Sequence, residues 1–403
     1  STISFNTISL EQSNYYGIEV NNCDNCLFEE NTILSPNGGG LESQNSSNVT
    51  IINNIIEAGG NTSKAIYASH PYNAQITDNN IIITDNNIIA YYAGVNIDNA
   101  SGSHIVENDI RGTNSNAIRF SYAKNVIIEN NFIYPVAGYA IYNSSSSSDN
   151  NNQIINNQIE YQSSSNHDVI TAYFTTVKGN YIKSSQWDYT IKGYGNDITE
   201  NEIYTGSSGS AIAIYSDSED DRSIIEENYI DYSGSGSAIY GMNLHISNNR
   251  IVGHNGNSYA IKIEGPDENS IISNNIITTV GNGLWISGGG FDIDYNIIDC
   301  DGLGIDILNY SDVKIYNNTM IGNGDNLAIM MDEDNNISSI TNNIISNFRT
   351  GINTESAIQE IKFNNFWENE YDFADGIDSL LIPPNIGYWC SVSGCPLNIN
   401  GDF

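Results

Sequence analysis

The sequence predicts an all-β protein, a single-stranded right-handed parallel β-helix of about sixteen coils. Three observations lead to this fold class. Residues suited to strands (Ile, Val, Thr and Tyr) are abundant, whereas good helix formers are sparse. An Asn-x-Ile motif recurs along the chain, and a short alternating strand motif recurs between its copies.

The Asn-x-Ile motif forms a ladder when each copy is placed on one coil. The residue two places after the asparagine is Ile in fourteen of sixteen copies, and Met320 and Trp367 take its place in the others. A buried asparagine at a bend can satisfy backbone groups and bind the asparagine of the next coil. The predicted ladder positions are 6, 31, 54, 80, 108, 131, 157, 180, 201, 228, 249, 275, 296, 318, 343 and 365.

The second motif is a small residue followed by two apolar residues that flank a variable one. Gly17-Ile18-Glu19-Val20, Ala117-Ile118-Arg119-Phe120 and Ala260-Ile261-Lys262-Ile263 are examples. The alternation predicts short strands with one buried face, separated by polar turns. A leucine-rich repeat would show Leu and a helical half, a hexapeptide repeat would have a shorter rhythm, and a propeller would need longer blades, so the parallel β-helix remains.

The charge excludes some partners. Against 13 Lys and Arg there are 48 Asp and Glu, for a formal charge of -35. Such a surface repels nucleic acid and anionic lipid headgroups. No apolar run is long enough to span a bilayer, so membrane insertion is not expected. The chain opens inside the repeat, which predicts a piece of a longer precursor.

The chain resembles the parallel β-helix repeats of pectate-lyase-like proteins through its Asn-x-Ile ladder over residues 1–367. Its closing segments, 363–369 and 397–403, are similar to the tails of secreted right-handed β-helix repeat proteins of bacteria and methanogenic archaea. This resemblance implies an extracellular or cell-surface protein that acts on polysaccharides or is purely structural. It carries over no catalytic motif.

The domain prediction is a β-helix over residues 1–367 and a C-terminal cap over residues 368–403. Cys390 and Cys395 are close enough in sequence to form a disulfide in that cap, which fits an extracytoplasmic protein. Cys23 and Cys26 form a C-x-x-C that predicts a turn or a strained disulfide rather than zinc. Cys300 is interpreted as a small apolar residue.

Outward side chains of the second motif line up in columns from coil to coil. One column and its neighbour collect basic and aromatic residues, which suit an acidic or neutral glycan because rings stack on sugars and cations meet carboxylates. The alternative is a ladder that only packs and solvates a flat sheet. The predicted substrate-binding residues are Tyr67, Arg119, Tyr142, Lys192, Tyr194, Tyr215 and Trp285.

Two catalytic arrangements are compatible with these columns. Lys262 can act as the base of a β-elimination, with Tyr240 as the acid and Glu264 or a cation stabilising the acidic sugar. Alternatively, Glu264 and Asp306 can form the carboxylate pair of an inverting glycosidase. Asp299 and Asp301 lie in an oxygen-rich turn that predicts a Ca²⁺ site, for which solvated acidic side chains are the alternative.

Two functions therefore remain open. One is an extracellular carbohydrate-binding β-helix that binds and degrades a polysaccharide, as a lyase or a glycoside hydrolase. The other is a non-catalytic structural or adhesive element of the cell surface (a layer, sheath, filament or stalk module) that associates with itself.

Overall fold

A computed structural model describes most of the chain up to residue 373. The described residues are 1–11, 15–59, 64–69, 81–84, 87–90, 93–99, 101–144, 148, 150–161, 167–185, 188–206, 208–215, 222–265, 270–308, 311–331, 336–354 and 360–373. The expected Cys390–Cys395 disulfide and residues 374–403 of the expected cap lie outside them. The chain divides into two compact units, Ser1–Val252 (unit 1) and Gly253–Phe403 (unit 2).

Unit 1 consists of short strands joined by turns. Its strands are β1 (Thr2–Ser4), β2 (Thr7–Ser9), β3 (Tyr16–Asn21), β4 (Leu27–Glu29), β5 (Thr32–Ser35), β6 (Gly39–Gln44), β7 (Val49–Ile52), β8 (Ile55–Ala58), β9 (Lys64–Ser69), β10 (Ile81–Thr84), β11 (Asn87–Ala90), β12 (Ala93–Asp98), β13 (His104–Val106), β14 (Asp109–Arg111), β15 (Ile118–Ser121), β16 (Ile127–Glu129), β17 (Phe132–Tyr134), β18 (Ile141–Asn143), β19 (Asn152–Ile155), β20 (Gln158–Tyr161), β21 (Ile170–Tyr173), β22 (Thr175–Lys178), β23 (Tyr181–Ser184), β24 (Ile191–Tyr194), β25 (Asp197–Thr199), β26 (Glu202–Thr205), β27 (Ile212–Ile214), β28 (Ser223–Glu226), β29 (Tyr229–Tyr232), β30 (Ile239–Gly241), β31 (Leu244–Ser247) and β32 (Arg250–Gly253).

Unit 2 repeats the pattern. Its strands are β33 (Tyr259–Glu264), β34 (Ser270–Ser273), β35 (Ile276–Thr279), β36 (Asn282–Ser287), β37 (Phe291–Asp294), β38 (Ile297–Cys300), β39 (Ile305–Leu308), β40 (Ser311–Tyr316), β41 (Thr319–Ile321), β42 (Leu327–Met331), β43 (Asn336–Thr341), β44 (Ile344–Ser346), β45 (Thr350–Thr354), β46 (Ile361–Lys362), β47 (Asn365–Trp367) and β48 (Tyr371–Phe373).

Within each unit, every third strand belongs to the same sheet, where it pairs in parallel with its neighbours. Sheet A starts at β1, sheet B at β2 and sheet C at β3; they hold eleven, eleven and ten strands in unit 1 and five, five and six in unit 2. The expectation from the asparagines was about sixteen coils. No helix occurs among the described residues. The all-β parallel β-helix predicted from the repeat is therefore confirmed.

The asparagine ladder lies at the bend between sheets A and B. In unit 1, the Asn201 side chain donates to the carbonyl of Val177 at 2.8 Å and to Oδ1 of Asn228 at 3.0 Å. Its own Oδ1 accepts hydrogen bonds from the backbone and side-chain nitrogens of Asn180, both at 3.0 Å. Each such asparagine thus connects three coils and satisfies backbone groups that burial removes from water.

Of the predicted ladder positions, 365 needs correction and 80 lies outside the described residues. Asn343 donates to Oδ1 of Asn364 at 3.0 Å, so the ladder residue of that coil is Asn364 and not Asn365. The inward ring is accordingly Phe366, 7% exposed, whereas Trp367 is 43% exposed. The Asn-Asn doublet made the two positions indistinguishable by spacing alone.

Asn80 lies outside the described residues. The Ile82 that follows it pairs with Thr50 and His104 in sheet A. The inward isoleucines of the ladder motif belong to sheet B, so the motif at position 80 is out of register with the others.

Each described ladder asparagine follows a residue in the left-handed conformation. Fifteen such residues have φ between 53° and 65°: Phe5, Glu30, Asn53, Glu107, Asn130, Asn156, Gly179, Glu200, Glu227, Asn248, Asn274, Tyr295, Asn317, Asn342 and Phe363. Asparagine tolerates this conformation better than other non-glycine residues. This explains why Asn-Asn doublets are frequent at the bends.

Tyr295 is a bend residue whose type does not suit its conformation. Its side chain is 56% exposed and its φ is 54°. We expect Tyr295→Asn to raise the free energy of unfolding by about 0.5–1 kcal/mol, because asparagine is less strained there. Urea unfolding measures the change. Tyr295→Val is the control; being β-branched, it should lower the stability, and equal stability of the two variants would contradict the role of backbone strain.

The core is a stack of apolar side chains that follow the ladder. Ile203 and Ile230 pair on sheet B of unit 1 and are 0% exposed, and Ile298 and Met320 do the same in unit 2. Cys300 is buried and unpaired, as expected for a small apolar residue, and burial raises the pKa of its thiol to about 12. Cys23 and Cys26 form a disulfide, which was one of the two expectations for this turn.

Candidate functional site

The outer column of sheet C in unit 1 has the expected composition. Strand pairing places its members side by side from coil to coil, and Thr171 of β21 fills the place that the sequence pattern left open. The column reads Glu19, Glu42, Tyr67, Asn96, Arg119, Tyr142, Thr171, Lys192, Ala213 and Tyr240. Tyr194, at the end of β24, and Tyr215, directly after β27, flank this column.

Unit 2 carries its own column on sheet C. It reads Lys262, Trp285, Asp306, Met330 and Asn353. Trp285, expected to bind substrate, and the catalytic candidates Lys262 and Asp306 are thus neighbours on adjacent strands. Tyr240, the expected acid, belongs to unit 1.

Lys262 is engaged on two sides. Its Nζ lies 2.8 Å from Oε1 of Glu264 and 4.6 Å from the centroid of the Trp285 ring. Lys262 thus takes part in an ion pair and in a cation–π contact within its own column of unit 2.

Glu264 and Asp306, the alternative carboxylate pair, lie in different columns. Glu264 pairs with Ser287, whereas Asp306 pairs with Trp285. Asp306 is 6% exposed, and its Oδ2 accepts a hydrogen bond from the Tyr259 hydroxyl at 2.7 Å. Burial and then this bond raise the pKa of Tyr259.

A basic group lies at the N-terminal side of sheet C in unit 1. The Nζ of Lys64 is 3.4 Å from the centroid of the Tyr67 ring. Burial lowers the pKa of Lys64, which Asp98 opposes and Arg119 reinforces. The buried Nε of Arg119 has no hydrogen-bond partner. Tyr67 and Arg119 place a ring and a cation in the same column, with Asn96 on the strand between them.

A second outward row precedes the column by three residues and adds rings that the motif did not predict. Tyr139 stacks obliquely on Tyr142, with centroids 4.7 Å apart, and lies 5.0 Å from the ring of His167. Tyr189 meets Tyr215 at 5.6 Å, and the two hydroxyls are hydrogen bonded.

The rings of Tyr189, Tyr215 and Tyr240 form a continuous series that we name the tyrosine row. Tyr215 and Tyr240 have centroids 5.4 Å apart. The Nζ of Lys192 lies 5.2 Å from the Tyr189 centroid and 5.6 Å from that of Tyr215, within cation–π range. Burial, followed by the bond to Tyr189, raises the pKa of Tyr215.

Asp168 lies beside this row, immediately before β21. It is 4% exposed, and its Oδ2 accepts a hydrogen bond from the Thr171 hydroxyl at 3.0 Å and lies 3.8 Å from Nζ of Lys192. Its Oδ1 is buried without a hydrogen-bond partner. Burial raises the pKa of Asp168 to about 6; Lys192 opposes the rise and Asp188 adds to it.

We name Asp168, Thr171, Asp188, Tyr189 and Lys192 the Asp168 cluster. The strands β21 and β24 hold it together, since Ile170 pairs with Ile191 and Thr171 with Lys192. Asp168 and Asp188 precede these strands on neighbouring coils, and Oδ1 of Asp188 accepts the backbone NH of Tyr189 at 3.1 Å. The cluster combines the protonatable carboxyl of Asp168, the carboxyl of Asp188, the cation of Lys192 and the ring of Tyr189.

Only Lys192 of this cluster was predicted. Asp168 was missed because its coil departs from the strand motif: Val169 stands where most other coils have Gly or Ala, and the outward position after Ile170 is Thr171. The ladder did not supply the register either, because Ile170 lies 13 residues after Asn157 whereas its strand partner Ile191 lies 11 residues after Asn180.

The expected calcium ligands lie at the end of β38 in unit 2. Asp299 and Asp301 are both exposed and flank the buried Cys300. The carbonyl of Asp301 accepts a hydrogen bond from the Asn326 side chain at 2.6 Å. Within the described ranges, no three His, Cys, Asp or Glu side chains group closely enough to hold a metal ion.

Two family models match the chain. The one described as right handed beta helix region matches residues 1–182, and the one described as periplasmic copper-binding protein (NosD) matches residues 164–339. With the three parallel sheets, these matches show that the chain is a right-handed β-helix repeat protein. No curated protein matches it.

Two solved structures are similar to the chain at a low level. A surface adhesin of Streptococcus pneumoniae, PfbA, is 11% identical over 87% of this chain and 84% of its own, with a TM-score of 0.28. A second structure, of the same organism's surface protein and adhesin PfbA, is 11% identical over 88% and 89%, with a TM-score of 0.28. Likeness at this level bears on neither the site nor the function.

Copper is the metal that the second family description names. Soft or imidazole ligands suit copper, so His, Cys and Met are the side chains to consider. In the described part of residues 164–339, Cys300 and Met320 are buried and no His, Cys, Asp or Glu group of three occurs.

Among all the residues that the structure describes, no helix is long and apolar enough to cross a bilayer.

Proposed function

We propose that the outer face of sheet C in unit 1 binds a polysaccharide outside the cytoplasm, in the periplasm or at the cell surface. The observation that carries the proposal is the tyrosine row with Lys192 over it. Three consecutive coils present rings at 5.6 and 5.4 Å, and one cation lies within reach of two of them. The description of the NosD family as periplasmic supports the location.

The geometry suits a chain-like ligand rather than a small one. Strands of a sheet repeat at about 4.8 Å, and a sugar unit of a polysaccharide is of the same order of length. A row of rings along the coils therefore offers one stacking surface after another to successive sugars. The basic group of Lys64 and Arg119, further along the same sheet, extends the surface toward acidic sugars.

The tyrosine row can be tested against a matched row on another face. On sheet B of unit 1, Tyr181, Tyr204 and Tyr229 are spaced at 5.7 Å from ring to ring, and their charged neighbours are Glu202, which accepts the Tyr204 hydroxyl, and Arg250, 5.9 Å from the Tyr229 centroid. We expect Tyr215→Ala to weaken binding of the polysaccharide about five- to tenfold, because one stacking contact is lost. Tyr204→Ala should leave affinity unchanged.

The measurement is a glycan array of the full chain, followed by titration of the best polysaccharide with both variants. Polygalacturonate and alginate serve as acidic probes, and xylan and laminarin as neutral ones. Equal loss in both variants would show that the sheet C row has no special part. Absence of binding to any probe would refute the proposal.

A second function is a non-catalytic structural or adhesive surface element. The observation that favours it is the sheet B row itself, because it shows that tyrosines also line up on a second face of this solenoid, away from the Asp168 cluster. Self-association of the chain, measured by sedimentation, together with no glycan binding, would support this alternative. A Ca²⁺ site at Asp299 and Asp301 also remains a proposal, and calcium titration of Asp299→Asn tests it.

A further inference from the structure

We propose that Asp168 is the proton donor of a glycoside-hydrolysing site on this face, and that Asp188 accepts a proton from the attacking water. The inference rests on the proposed glycan binding and assigns a reaction to the same surface. Asp168 is 4% exposed and its Oδ1 has no hydrogen-bond partner. A buried carboxyl oxygen without a partner in the protein is open to a hydrogen bond with a water or with a ligand.

The surroundings of Asp168 suit an acid. Burial disfavours its charged form, and the nearby Asp188 adds to that effect, so that the pKa of about 6 leaves a protonated fraction near neutral pH. The Thr171 hydroxyl donates to Oδ2 at 3.0 Å, which leaves Oδ1 as the oxygen that meets a ligand. Asp188 is the more exposed of the two carboxyls and suits the role of base.

The reaction balances with water as the only co-reactant. The bond between the anomeric carbon and the glycosidic oxygen breaks, and its electron pair stays on that oxygen, which takes the proton of Asp168. The water oxygen forms a bond to the anomeric carbon, and its second proton passes to Asp188. One glycosidic bond and one water give two sugar ends, one of them reducing, and solvent restores both carboxyls.

Lys192 acts as a positioning residue in this scheme. Its Nζ, 3.8 Å from Oδ2, lowers the pKa of Asp168 and orients the carboxyl. Removing the charge in Lys192→Met should therefore move the alkaline limb of the pH profile of cleavage to higher pH. A purely structural role for Lys192 would lower the rate without moving that limb.

The experiment follows new reducing ends released by the full chain from the array probe that binds best. Asp168→Asn should lose cleavage about 100-fold or more and keep affinity within about threefold, since general acid catalysis contributes factors of this size. Asp197→Asn, an exposed carboxylate on β25 of sheet A, should keep both. Binding without reducing ends, or full activity of Asp168→Asn, overturns the inference and leaves the proposed binding intact.

Two further outcomes are decisive. Products with an unsaturated uronate end would show elimination instead of hydrolysis and would overturn the role given to water and Asp188. Absence of binding to every probe refutes the proposed function and this inference with it.

Discussion

Replacing Asn296 with alanine is expected to lower the free energy of unfolding by about 4 kcal/mol. The Asn296 side chain donates to the carbonyl of Ile272 at 2.8 Å and to Oδ1 of Asn318 at 3.0 Å. Its Oδ1 accepts two hydrogen bonds of 3.0 Å from Asn275. Alanine leaves the Ile272 carbonyl and the Asn275 backbone NH buried without partners, and each such group costs about 1–3 kcal/mol.

Urea unfolding followed by circular dichroism measures this loss as a shift of the midpoint. Asn257→Ala is the matched control in the same unit, since Asn257 is an exposed turn residue. It should change the free energy of unfolding by less than about 0.5 kcal/mol. Similar losses in both variants would contradict the importance of the ladder.

Asn296→Asp separates hydrogen bonding from packing. The substitution keeps the volume but replaces the donating NH₂ with an oxygen that faces the Ile272 carbonyl. A protonated carboxyl can still donate, so folding should raise the pKa of this aspartic acid. The variant should therefore lose stability as the pH rises, whereas a pure cavity effect would not depend on pH.

Replacing Asp168 with asparagine is expected to stabilise the protein above about pH 6. Folding raises the pKa of Asp168 from 3.8 to about 6, so the folded state holds more protons than the unfolded state between these values. The free energy of unfolding of the wild type must then fall as the pH rises through this window. The loss amounts to about 3 kcal/mol and is complete above the folded pKa.

Asparagine cannot ionise, so Asp168→Asn avoids this loss. Its stability relative to the wild type should rise between about pH 4 and about pH 6 and then stay level. Urea unfolding at a series of pH values gives the difference, with Asp197→Asn as a control that removes the same charge from an exposed strand. A difference that does not vary with pH would contradict the burial of a charged Asp168.

A carboxylate that lowers stability at neutral pH is typical of functional sites, where a group is held in an unfavourable environment for its chemistry. Asp168→Asn should thus gain stability while losing the proposed cleavage. The gain also ensures that a loss of activity in this variant does not come from unfolding.

The fold could be predicted because its signal is repeated. One Asn-x-Ile copy is uninformative, but the ladder from Asn6 to Asn343 fixes which side chains face inward on sheet B. The column on sheet C followed from the second motif, which is why Arg119 and Lys192 were placed on one face. The register failed at two places: at Asn364 and Asn365, where two adjacent asparagines fit the spacing, and at the motif of position 80, whose Ile82 belongs to sheet A.

The candidate site was less predictable, because its chemistry depends on burial and not on pattern. Nothing in the sequence distinguishes Asp168 from the other acidic residues, and its environment arises from Thr171, Lys192 and the rings of the next coil. Lys262 shows the opposite case. Its column position was predicted, but its ion pair with Glu264 depends on side-chain conformations that spacing does not determine.

The ladder also governs how such a chain can change in length. Beyond its own coil, Asn201 bonds to the coil before it through Asn180 and to the coil after it through Asn228, and it also donates to the carbonyl of Thr199 in its own coil. Duplicating or removing one whole repeat restores every one of these bonds, whereas a shift by one residue inside a strand turns the inward side chains outward. Gene duplication of single repeats is therefore a mutational path that preserves folding, and point insertions are tolerated in the turns.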